Sequence, residues 1–108
     1  MGAAMDFEER ISQAIRDSIE HGYRPSGFVR MRKKYPTVEA IKKLLHRPDD
    51  PRGFTRLLKM NRLDLSLEAI ILEKEWRSLF TFEELEIAKR RLDKFGYKPR
   101  VDHTAEKA

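Results

Sequence analysis

Ser66-Leu67-Glu68-Ala69-Ile70-Ile71-Leu72-Glu73-Lys74-Glu75-Trp76 and, a few residues on, Thr81-Phe82-Glu83-Glu84-Leu85 are the stretches whose reading decides the fold. Ser66 is a good helix N-cap, because its hydroxyl can accept a bond from an orphan amide of the first turn. It predicts a helix from Leu67 to about Glu75. Ala69 to Leu72 are apolar nearly all round that helix, a pattern that belongs at the centre of a bundle. Trp76, Leu79 and Phe80 follow as large anchors. Thr81 with Glu84 three residues later is a capping box, the clearest helix start in the chain. The helix it opens runs from Phe82 to Phe95, with Leu85, Ala88, Leu92 and Phe95 on one stripe. Gly96 and then Pro99 are the expected stop signals.

Working back from there, Leu63, Leu65 and Leu67 alternate with polar residues as a connector whose leucines plug the core. A fourth helix is expected from about Pro51 to Met60, capped by Asp50, with Phe54, Leu57 and Leu58 inward. Residues 47–53 read as a loop. Thr37 is expected to cap a third helix, Val38 to about His46, buried through Val38, Ile41, Leu44 and Leu45. A short second helix spans about Gly27 to Lys34 and buries Phe28, Met31 and Tyr35. Tyr35-Pro36 stops it, since a residue before proline is biased out of the helical region. The first helix spans about Asp6 to His21, where Phe7, Ile11, Ile15 and Ile19 recur every fourth residue. Gly22 is placed as its left-handed C-cap.

The expected fold is therefore all-α, a compact bundle of five or six short helices in one domain over residues 6–99. Residues 1–5 and 100–108 are expected to be flexible ends. The expected core is Phe7, Ile11, Ile15, Phe28, Met31, Ile41, Leu44, Phe54, Leu57, Leu67, Ile70, Ile71, Trp76, Leu79, Phe80, Leu85, Leu92 and Phe95.

Two helix pairs look like copies of each other. Pro25-Ser26-Gly27-Phe28-Val29-Arg30-Met31 aligns with Pro51-Arg52-Gly53-Phe54-Thr55-Arg56-Leu57, and Thr37-Val38-Glu39-Ala40-Ile41 with Ser66-Leu67-Glu68-Ala69-Ile70. Two copies are too few for a solenoid, which needs about three. Convergent reuse of caps and amphipathic helices explains the match as well as duplication does.

Gly53-Phe54-Thr55-Arg56-Leu57, Arg62 to Ala69, Trp76 to Phe80, Thr81 to Leu85, and Arg91-Leu92 through Phe95-Gly96-Tyr97 resemble a small helical module of bacterial hypothetical proteins, found alone or appended to larger chains. His21-Gly22-Tyr23-Arg24-Pro25 opens the same pattern. The resemblance covers roughly residues 20–97. It implies a bacterial helical module and carries no functional residues with it. Lys59-Met60-Asn61 departs from it, being polar where a bulkier helix end is expected.

Composition narrows the chemistry. The chain of 108 residues is 40% hydrophobic and 38% charged, and it contains no cysteine. Disulfides and thiolate metal sites are excluded. The longest apolar runs are a few residues, far short of the ~20 that span a bilayer. Residues 1–5 lack the basic and apolar regions of a signal peptide. Gly2 has Asp6 where a myristoylation motif wants Ser or Thr. His21, His46 and His103 share no helical face, Asp49-Asp50 lacks a calcium-loop ligand series, and no nucleophile arrangement or phosphate loop appears. These features suggest a cytoplasmic, monomeric protein that is not an enzyme and uses no cofactor, metal or membrane.

Charge is the remaining signal. Residues 1–23 carry a net −3, and residues 24–47 carry eight basic side chains against Glu39 alone, a net +7. The full positive excess, +5 for the chain, thus lies in one segment. Lys89-Arg90-Arg91 sit late in a helix that begins with acids, as the helix dipole favours, with Glu86 and Arg90 set for an i,i+4 pair. Arg30, Lys33 and Lys34 have no such explanation. They are expected on the face of their helix opposite Phe28 and Met31, with Lys42 and Lys43 on the outer face of the next helix. Arg30, Lys33, Lys34, Lys42 and Lys43 are the candidate contacts to an acidic protein surface or a nucleic-acid backbone, with a solvated basic face as the plain alternative. A purely structural or protein-docking domain, regulatory for a larger system, is the other reading. The helices over 27–34 and 38–46 do not make a clear helix-turn-helix, because the Tyr35-Pro36-Thr37 turn lacks the usual glycine.

Overall fold

The computed structural model describes residues 3–47 and 52–97. Among these residues every regular element is helical: α1 Ala3–Glu20, α2 Ser26–Lys34, α3 Thr37–Leu45, α4 Arg52–Lys59, α5 Leu67–Ile71 and α6 Phe82–Lys94. Two 3-10 turns, Leu63–Leu65 and Arg77–Leu79, flank α5. The all-α bundle of six short helices is as expected. The predicted cap at Asp50, the side chain of Phe54 from the expected core and the expected C-terminal tail lie outside what the structure describes.

Helix α5 is the centre. Ile70 and Ile71 are 0% exposed, with Ala69 and Leu72 buried beside them. The helix packs along α6, which also meets α3, while α1 and α4 both rest on the Leu63–Leu65 turn. Leu63 and Leu65 are buried there, so the connector does plug the core. Ser66 Oγ accepts from the Ala69 amide at 3.1 Å, and Thr81 with Glu84 forms both halves of its capping box.

Helix α1 starts at Ala3, three residues ahead of the expected Asp6. Its buried row is Phe7, Ile11, Ala14 and Ser18. A strict four-residue step drifts about 40° per step around a helix, whereas alternating four and three holds one face. Ile15 is therefore only half-buried and Ile19, expected on the inner stripe, is 38% exposed. Phe7 meets Trp76 at 5.4 Å and Phe80 at 6.1 Å between ring centroids, tilted and edge-on. Such geometries suit the ring quadrupoles.

Helix α5 ends at Ile71, four residues short of the expected Glu75. Tertiary contacts win over helical propensity here. Arg10 holds Glu73 in a two-point ion pair, Nε to Oε1 at 3.1 Å and Nη2 to Oε2 at 2.6 Å. Glu73 Oε1 also accepts from Trp76 Nε1 at 3.0 Å, and Arg77 Nε donates to the Leu72 carbonyl at 3.0 Å. Extending the helix would pull Trp76 from Phe7.

Three helices end in the same way. Tyr23 N–H bonds Ser18 O, Arg62 N–H bonds Leu57 O and Tyr97 N–H bonds Leu92 O, at 2.8 to 3.0 Å. Each closes a Schellman motif around a left-handed residue: Gly22 (φ 95°), Asn61 (φ 59°) and Gly96 (φ 76°). Asn61, which breaks the resemblance noted above, is thus the C-cap of α4. Phe95, expected in the core, is the C-cap residue of α6 and 37% exposed. The turn into the Schellman motif swings it off the Leu85–Leu92 stripe.

Thr37 does not cap α3; Pro36 occupies the N-cap position with no side-chain bond. The buried Thr37 hydroxyl instead donates to Glu8 Oε1 at 2.8 Å and accepts from Arg32 Nε at 3.0 Å. The aligned helix pairs α2–α3 and α4–α5 therefore differ at one aligned position: Ser66 caps its helix and Thr37 does not. No helix among the described residues is long and apolar enough to cross a membrane.

Candidate binding surface

The basic segment 24–47 separates into cations spent inside the fold and cations left outside. Arg32 turns back to α1, its Nη2 2.6 Å from Glu8 Oε1. Lys42, expected on the outer face, instead reaches α6. Its Nζ lies 2.9 Å from Oε1 of Glu84 and 5.4 Å from the centre of the Phe80 ring. His46 Nε2 donates to the other oxygen of Glu84 at 3.1 Å. Burial pushes the Glu84 carboxyl up, but bonds from the Thr81 amide, Lys42 and His46 together outweigh it, and it is lowered to about 2. A carboxylate this buried, 5% exposed, keeps its charge only because several donors face it.

Arg30, Lys33, Lys34 and Lys43 are exposed. No carboxylate among the described residues lies within ion-pair distance of them. Lys43 Nζ sits 4.7 Å over the Tyr35 ring, which leaves its ammonium at the surface. The three cations of α2 are not all opposite Phe28 and Met31. At 100° per residue, Lys33 is about 170° from the midpoint of that apolar pair, Arg30 about 130° and Lys34 about 90°. Arg30 and Lys34 accordingly lie on one side of the apolar face, with Lys34 at its edge, and both border the space it faces.

What they overlook is a cleft of about 1210 Å³, bordered by α1, α2, α3, α4, the start of α5 and the end of α6. Its apolar wall includes Ile15, Phe28, Met31, Leu44, Leu57 and Leu67. Ile15, Met31, Leu44 and Leu67 were expected in the core and are only half-buried because they face this space. Among the described residues its cations are Arg30, Lys34, Arg47, Arg56, Arg91 and Lys94, and its one acid is Glu68. Glu68 is neutralised by Arg91, Nη1 to Oε2 at 3.0 Å. The Nη2 of Arg91 also donates to the carbonyls of Leu45 and Arg47 at 3.0 and 2.9 Å, closing the C-terminal end of α3. Arg56 is spent similarly, on the Gly22 carbonyl at 3.2 Å and the Tyr23 ring at 5.5 Å. Arg30, Lys34, Arg47 and Lys94 remain exposed at the edge.

Sequence reasoning thus placed Arg30 and Lys34 at this surface and missed Arg47 and Lys94. Both follow the last apolar residues of their helices, and only the meeting of α3 with α6 reveals their common position. The Lys89-Arg90-Arg91 run splits as well. Lys89 pairs with Glu86 at 3.7 Å in place of the expected Glu86–Arg90 pair, and Arg91 is a structural tie.

Both described histidines have structural work: besides His46 on Glu84, His21 Nδ1 donates to the Asp17 carbonyl at 2.9 Å and its Nε2 lies 3.1 Å from Arg62 Nη1. Among the described residues there is no cluster of three or more His, Asp or Glu that could hold a metal. Every buried side-chain nitrogen and oxygen described has a hydrogen-bond partner. Comparison with family models, curated proteins and solved structures found no match to this chain.

Proposed function

We propose that this chain is a non-enzymatic binding module that uses the exposed cations of its 24–47 segment to hold an acidic partner. One observation carries the reading: Arg30, Lys33, Lys34 and Lys43 stand at the surface without a carboxylate partner among the described residues, while Arg32 and Lys42 are drawn inside. Cations that merely balance the fold find acids, as these two do. Those that remain raise the local potential and attract anions. An acidic protein segment is favoured over a nucleic-acid backbone because two of these cations, Arg30 and Lys34, adjoin an apolar cleft. Half-exposed Met31 and Leu44 offer nothing to phosphates or sugars and much to apolar side chains.

The experiment is a titration of the labelled protein with polyglutamate and with a short DNA duplex at ~50 mM salt, where surface electrostatics are least screened. Binding of polyglutamate with an affinity that falls as salt rises supports the reading. Tighter binding of the duplex transfers the surface to nucleic acid. No binding of either polyanion refutes a polyanion-binding face and leaves a structural domain.

A further inference from the structure

We infer that the cleft between α2, α3, α4 and the end of α6 receives an acidic amphipathic helix of a partner protein. The inference rests on the acidic-partner reading above and adds the shape and chemistry of what is bound. An occupant must satisfy two different surfaces at once. The wall asks for aliphatic or aromatic side chains, because Phe28, Met31, Leu44, Leu57 and Leu67 line it. The edge asks for carboxylates, because Arg30 and Lys34 stand one turn apart on α2 and Arg47 and Lys94 lie where α3 and α6 end. Among the described residues the one acid lining the cleft, Glu68, is already held by Arg91 at 3.0 Å, so it does not offset those four cations.

Size and form point to a helix. Pockets for small molecules run to about 300–1000 Å³ and enclose most of their ligand. This cleft measures about 1210 Å³ and is partly open to solvent. A helix laid into such a groove presents anchors at i, i+3, i+4 and i+7 to the wall and polar residues to both edges. Met31 suits the wall, since an unbranched thioether adapts to whatever side chains arrive.

The competing occupants fit less well. The chain's own 98–108 segment carries three bases (Lys98, Arg100, Lys107) against Asp102 and Glu106, and its one large aliphatic residue is Val101. A second copy of the chain brings the same net charge of +5 to a positive edge. A nucleic acid would satisfy the cations and leave the apolar wall wet.

The test uses the full chain and three synthetic peptides of about 14 residues, roughly four helical turns. The first places Leu at i, i+3, i+4 and i+7 with Glu elsewhere. The second scrambles that composition so that charge is kept and the stripe is lost. The third keeps the stripe and replaces Glu by Gln. Fluorescence anisotropy is read for wild type, Met31→Gln, Leu44→Gln, Arg30→Gln with Lys34→Gln, and Lys33→Gln. The first peptide is expected to bind at least about tenfold more tightly than either of the others. Met31→Gln, Leu44→Gln and the Arg30/Lys34 pair should each weaken it, and Lys33→Gln should weaken it least, because Lys33 does not border the cleft. Equal binding of the first two peptides overturns the groove and leaves a plain polyanion face. Equal binding of the first and third overturns the acidic partner. Binding of none refutes both. The peptide comparison needs only the wild type, so a variant that fails to fold does not rescue the proposal. A dimer in sedimentation whose dissociation accompanies peptide binding would assign the cleft to a second copy.

Discussion

Lys42 Nζ lies 2.9 Å from Glu84 Oε1, which joins the middle of α3 to the first turn of α6. The same carboxylate oxygen accepts the Thr81 amide at 2.9 Å, while its neighbour takes His46 Nε2 at 3.1 Å. A residue that reads in sequence as half of a capping box is therefore also the anchor for two side chains of the basic segment. Its effect on the surface is direct. It removes Lys42 from the outward-facing cations and moves their centre toward α2 and the cleft.

Acid should expose this arrangement. The folded carboxyl of Glu84 is lowered to about 2 from an ordinary 4.5, so its contribution is complete above pH 4.5 and is lost as pH falls toward 2. The linkage amounts to at most about 3 kcal/mol at full extent, less what solvent screens. Asp64, held low chiefly by its bond from Arg62, acts in the same direction. Glu84→Gln should be less stable than wild type near neutral pH and lose less on acidification. Urea unfolding at several pH values between 2 and 6 checks this; parallel curves for the two proteins would contradict it.

The central helix should be the least forgiving place for truncation. Ile70 and Ile71 are both 0% exposed on a five-residue helix held on several sides. Either one changed to Ala should cost about 2–4 kcal/mol, the lost transfer energy plus the cavity left behind. Denaturant midpoints measure it, and a loss below about 1 kcal/mol at both sites would refute the packing order described.

Arg91→Leu should cost about 2–3 kcal/mol, since it strips a mostly buried Glu68 of its partner and frees two carbonyls at the end of α3. Lys89→Ala, two residues away and exposed, should stay within about 0.5 kcal/mol. Similar losses for the two would contradict the structural role given to Arg91.

Asn61 offers a backbone test. At φ 59° it holds the left-handed position of the α4 Schellman motif. Asn61→Ala should destabilise by about 1 kcal/mol and Asn61→Gly should be neutral or slightly stabilising. The reverse order in thermal midpoints would show that the side chain, and not the dihedral angle, matters there.

Caps and stripes made the helices legible: Ser66, Thr81 with Glu84, Gly22 and Gly96 all do what their types and spacings suggest. Thr37 misled because hydroxyl caps and hydroxyl bridges look alike in sequence, and a proline can stand at an N-cap without a side-chain bond. Helix α5 was read too long because the Arg10–Glu73 pair that stops it joins residues 63 apart. The cleft was not legible at all. Periodicity tells which face of a helix looks inward, and Ile15, Met31, Leu44 and Leu67 do; whether the space they face is filled depends on how all six helices meet. The same holds for charge. Eight bases in one segment could be counted, but which of them Glu8 and Glu84 would claim could not.

The most direct measurement is the affinity of wild type and of the Arg30/Lys33/Lys34→Gln variant for polyglutamate between ~50 and ~200 mM salt, with thermal midpoints recorded alongside. The account predicts wild-type binding that weakens steeply as salt rises. It predicts a variant with most of the affinity and most of the salt dependence gone, at a thermal midpoint within about 2 °C of wild type because exposed charges contribute little to folding. Absence of wild-type binding at ~50 mM salt, or a variant that binds as tightly and with the same salt slope, would contradict it.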